Sequence, residues 1–114
     1  MSPIRLAFCL SLSASALVAG ASTAQDRPIR FTDAEYIAAS RCAAWEPVAR
    51  AGGGVIAARL ETQKGSRLSA VQQQARQAER DARLVARRAQ GQGNAAVAQL
   101  GDRFERECTR FVAG

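Results

Sequence analysis

The sequence predicts an all-α protein. The expected architecture is a small antiparallel bundle of three helices, stapled by one disulfide. It becomes a four-helix bundle if the second helix breaks near Gly65. Three observations carry this reading. Apolar residues recur three and four positions apart, the spacing of one helical face. Capping and turn residues stand between those runs, and no segment alternates with the period of a strand. Two cysteines fall on the apolar faces of the first and last predicted helices.

Residues 1–24 read as a secretory signal peptide. Arg5 supplies the positive start, and residues 6–18 form an uncharged apolar stretch. That stretch is shorter than the ~20 residues a membrane-spanning helix needs. Ser22-Thr23-Ala24 offers a small-x-small cleavage site, and Ala19-Gly20-Ala21 a second one three residues earlier. Cys9 lies inside the apolar stretch rather than behind its small residues, which argues against a lipid-modified cysteine. The expected destination is a bacterial periplasm, with an extracellular location as the alternative.

Cleavage changes the composition. Removing 24 of 114 residues leaves 90, and the loss of Arg5 takes the formal charge from +6 to +5. Cys9 also leaves, so three cysteines become two. Eighteen large apolar side chains remain, and alanine supplies most of the other apolar positions. A charged chain with so few large apolar groups stands near the limit at which folding fails. The consistent helix signals argue that this one folds.

Residues 25–31 are expected to form a flexible N-terminal arm, in which Pro28 blocks an early helix, and 32–114 a single α-helical domain. Thr32-Asp33-Ala34-Glu35 is a capping box that opens the first helix, with Phe31 and Tyr36 at the flanking staple positions. Ala38, Cys42, Trp45 and Ala49 repeat along one face; Pro47 kinks the helix or starts a new turn. Gly52-Gly53-Gly54 ends this segment. The second helix is expected over 55–90, with Gly65 as a break and Ser66 as an N-cap after it. Within it, Ala75, Ala78, Ala82, Val85 and Ala89 form a small-residue stripe suited to close helix packing, inside the fold, against a partner helix or in self-association. Gly91-Gln92-Gly93 is expected as a loop and Asn94 as the N-cap of the third helix. Val97, Leu100, Phe104, Cys108 and Phe111 line that helix's apolar face, and Gly101 beside them leaves room for a bulky neighbour such as Trp45. With simple turns, the first and third helices would run parallel.

The compartment implied by the signal is oxidising, so Cys42 and Cys108 are expected to pair. A loop of this length corresponds to roughly 4 kcal/mol in the chain-entropy model. Other chemistry is sparse. There is no His, hence no histidine base or metal ligand, and two distant cysteines do not make a zinc site. No serine or cysteine has a histidine partner for nucleophilic catalysis. The acids Glu79, Asp81, Asp102 and Glu105 stand among arginines, where Glu79–Arg83 and Asp102–Arg106 have the spacing of helix-supporting pairs. Gly91-x-Gly93-x-x-Ala96 follows a helix rather than a strand, so it does not signal a dinucleotide site. No catalytic residue, metal or cofactor is expected, and no nucleic-acid partner for an exported chain.

The functional signal is charge. Segment 55–90 holds Arg59, Lys64, Arg67, Arg76, Arg80, Arg83, Arg87 and Arg88 against Glu61, Glu79 and Asp81, a surplus equal to the whole net charge of the mature chain. Arg76, Arg80, Arg83 and Arg87 recur four, three and four apart and form one stripe, a candidate anion-binding surface. The leading expectation is a non-enzymatic protein–protein interaction in the cell envelope. The alternative is binding of anionic lipid or glycan phosphates through the arginine stripe.

Overall fold

The structure, a computed structural model, describes residues 30–50 and 53–113. The signal peptide and residues 25–29 of the arm lie outside the described residues. Four helices follow one another: α1 (Asp33–Ala49), α2 (Val55–Gln63), α3 (Ser69–Gln92) and α4 (Asn94–Val112). A short 3-10 turn, Lys64–Ser66, joins α2 to α3. No strand is present among the described residues.

The capping box starts α1. Thr32 Oγ1 accepts from the Glu35 amide at 3.1 Å, and Glu35 Oε1 accepts from the Thr32 amide at 3.0 Å. Hydrogen bonding to its carboxylate, first from the Thr32 backbone amide and then from the Thr32 side chain, holds the Glu35 carboxyl below its ordinary pKa. Phe31 and Tyr36, on either side of the box, are both buried. Pro47 sits in the last turn of α1, where the helix ends on an Arg50 N–H to Glu46 carbonyl bond of 2.8 Å.

Gly65 lies in the 3-10 turn, so segment 55–90 forms two helices. Ser66 does not cap α3; its hydroxyl donates to the Gln63 carbonyl, and Leu68 holds the N-cap position without a side-chain bond. Asn94 is likewise the first residue of α4 rather than its cap. The expected loop at 91–93 contracts to Gly93 alone, whose φ of +109° is a left-handed conformation suited to glycine.

The break also sets the topology. Phe31 meets Phe111 edge to face, with ring centroids 5.4 Å apart, Cys42 bonds Cys108, and Arg50 lies over Phe104. Numbers rise along α1 as they fall along α4, so these helices are antiparallel. The parallel arrangement expected of three helices is corrected here, because the reversal at Gly65 adds one more change of direction. α2 is antiparallel to α1 as well: Gln63 accepts from the Phe31 amide at 2.8 Å, and Glu46 accepts from the Gly54 amide.

Trp45, Phe104, Phe111, Ile56, Cys42 and Cys108 are the largest apolar side chains sealed from solvent. From α3 the core receives Ala75, Ala82, Ala86 and Ala89. Of the expected stripe, Ala75, Ala82 and Ala89 are buried and Ala78 is half-buried, whereas Val85 stays 37% exposed and Ala86 is buried beside it. The expected stripe has a 3.5-residue period. A straight α-helix drifts about 20° per heptad away from that period, and Ala86 rotates into the seam in place of Val85. Gly101 does not receive Trp45; a Cβ there would meet the Ala49 carbonyl at 3.7 Å.

Candidate functional site

The cations of segment 55–90 separate into two groups. Arg59 and Arg67 hold the fold together. Arg59 donates to the Phe111 carbonyl, joining α2 to the end of α4. The nearly buried Arg67 side chain donates to Asp33 at 2.7 Å, to Gln63 Oε1 at 3.0 Å and to the Phe31 carbonyl. Its guanidinium also lies 4.9 Å from the Tyr36 ring centroid. It therefore locks the start of α3 to the start of α1 with charge-assisted bonds. No spacing rule in the sequence distinguishes Arg67 from its neighbours, because its partners come from α1 and α2.

The second group is solvent-facing. Arg76, Arg80, Arg83 and Arg87 are all exposed along α3. Arg83 pairs with Glu79, and Arg80 Nη2 donates to Gln77 Oε1 at 2.7 Å. Arg76 and Arg87 make no ion pair among the described residues. Exposed pairs such as Arg83–Glu79 contribute little to stability. On α4 the i,i+4 pair formed is Arg103–Glu107, at 2.8 Å, rather than Asp102–Arg106.

Two concavities flank α3. One, of about 190 Å³, has Tyr36 and Ser40 of α1 in its lining and carries Glu61 and Lys64 on the α2 side, Arg76 and Glu79 on the α3 side. Burial raises the Tyr36 phenol above its ordinary pKa, with Arg67 acting in the opposite direction. The other, of about 360 Å³, runs between α3 and α4 over Val85, Ala89, Ala96 and Leu100, with Arg88 and Arg103 beside them. Arg103 lies over the Trp45 ring at 4.6 Å, and Arg41 lies over the same ring at 5.4 Å.

Cys42 and Cys108 are bonded and inaccessible, with Cα atoms 5.6 Å apart. Glu46 was not singled out by the sequence. It is 2% exposed, and its Oε1 accepts from the Gly54 amide while Oε2 has no hydrogen-bond partner among the described residues. A Cβ on Gly53 would overlap the Glu46 side chain, so glycine at 53 lets the loop lie over this carboxylate. Among the described residues no three Cys, Asp or Glu gather as metal ligands would, and no helix is long and apolar enough to cross a membrane.

Fold and surface together define a class: a small all-α, disulfide-linked helical protein with a cationic helix face. Comparison of the chain with protein-family models, curated proteins and solved structures gives no match.

Proposed function

We propose that the protein is an exported, non-enzymatic component of the cell envelope that acts by binding an acidic protein partner. The observation that carries this reading is the row Arg76, Arg80, Arg83 and Arg87, exposed on α3 with Glu79 as its one ion-paired acid. The small-residue face of the same helix is taken up inside the fold, which leaves the charged side for a partner. A second reading, binding of anionic lipid or glycan phosphates, is favoured by Arg76 and Arg87, whose charges are uncompensated by any ion pair among the described residues.

The test uses the oxidised mature chain and its R76Q/R80Q/R83Q/R87Q variant, offered to an envelope fraction and to anionic and neutral vesicles. The main reading expects a protein captured by the parent and lost by the variant, with no preference for anionic vesicles. The second expects vesicle binding that weakens with salt. At about 1 kcal/mol per arginine near an anionic surface, it also expects roughly 10³-fold weaker binding by the variant. Equal behaviour of parent and variant in every arm overturns both.

A further inference from the structure

We propose that the outward face of α3 pairs two copies of this chain as an antiparallel, two-fold dimer centred between Leu84 and Val85. These residues are 49% and 37% exposed, and among the exposed large apolar residues, which also include Val55 and Leu68, they are the two that are adjacent in sequence. Asp81 lies three residues before Leu84, and Arg88 three residues after Val85. Gln77 and Gln92 stand four residues further out on each side. Spacings of three and four place all six on one side of the helix, and all six are exposed.

Read outward from its midpoint, this face is self-complementary. In an antiparallel pairing, residues equidistant from the midpoint meet. Leu84 then meets Val85 of the second copy, Asp81 meets Arg88 of the second copy, and Gln77 meets Gln92 of the second copy. The two-fold operation repeats each contact, as an isologous interface requires. A parallel pairing would set Asp81 against Asp81 and Arg88 against Arg88, so the charges select the antiparallel one. Arg88 has no partner for its guanidinium among the described residues, and it borders the same open groove as Val85 and Gln92. Asp81 accepts one bond, from the Gln77 amide at 2.9 Å, and keeps a second oxygen for the dimer. The face is separate from the row Arg76, Arg80, Arg83 and Arg87. The dimer therefore goes beyond the envelope-binding reading and does not depend on it.

An apolar centre this small gives a weak, concentration-dependent dimer, with Kd roughly between 1 μM and 1 mM. The test is sedimentation velocity of the oxidised mature chain over that range. Asp81→Arg and Arg88→Asp each replace two attractions by two repulsions, and each is expected to weaken the dimer at least about tenfold. Mixing the two variants restores opposite charges at both contacts and is expected to restore a mixed dimer. Far-UV circular dichroism and a thermal melt identify variants that remain folded. A parent chain monomeric throughout, a dimer unchanged by Asp81→Arg, or folded variants that fail to associate on mixing would each overturn the proposal.

Discussion

Where α1 meets α4, the core consists of Trp45, Phe104, Phe111 and the Cys42–Cys108 bridge. Where α3 closes the bundle, it consists of Ala75, Ala82, Ala86 and Ala89. The first region gains stability from large buried surfaces and a covalent tie. The second gains little per residue from burial, and relies on a sequence rich in Ala, Arg and Gln, all strong helix formers. The contrast teaches how a short chain carries a long charged helix. Most of the largest buried side chains gather between one helix pair, and the outer side of α3 stays exposed.

The comparison breaks most sharply at the bridge. Replacing both cysteines, C42A/C108A, is expected to cost about 4 kcal/mol, a large share of the 5–15 kcal/mol that small domains possess. Chemical denaturation checks it, and a loss under about 1 kcal/mol would remove the α1–α4 region from its leading place. A smaller effect probes the seam of α3. Ala86→Leu forces bulk into a close-packed site and is expected to destabilise by about 1–3 kcal/mol. Val85→Leu, one residue away and exposed, is expected to stay within about 0.5 kcal/mol. Equal costs at 85 and 86 would mean that the seam follows the heptad spacing after all.

What could be read in the sequence followed from local rules. The capping box at Thr32 and Glu35 is a contiguous motif, and it forms as such. The pairing of Cys42 with Cys108 followed from their helix-face placement and from the expected export signal, which would carry Cys9 away and imply an oxidising compartment. The all-α class followed from periodicity. What stayed hidden depends on long-range geometry. Gly65 was visible as a weak point, yet the direction of α4 hangs on whether it reverses the chain, and a glycine alone does not specify a reversal. Whether Val85 or Ala86 enters the seam depends on a drift of a few degrees per turn, below what residue spacing resolves. Arg67 looked like one more member of a basic run, although Asp33, Gln63 and Phe31 make it part of the scaffold. Glu46 carries no distinguishing signal in the sequence, because its burial comes from the glycine loop that lies over it. For the candidate site, the arginine row was legible because helical spacing alone places it. The self-complementary face around Leu84 was not, because it required knowing which side of α3 the bundle leaves uncovered.

On this account α1 and α4 hold the fold through large buried side chains and the bridge, and α3, packed through small residues, is held less strongly and carries the proposed binding surface. Native-state hydrogen exchange of the oxidised chain tests it most directly. Amides around Cys42, Trp45, Phe104 and Cys108 are expected to exchange only through global unfolding, and those from Arg83 to Gly91 in α3 through a smaller, earlier opening. Protection in that part of α3 equal to that around the bridge would contradict the account.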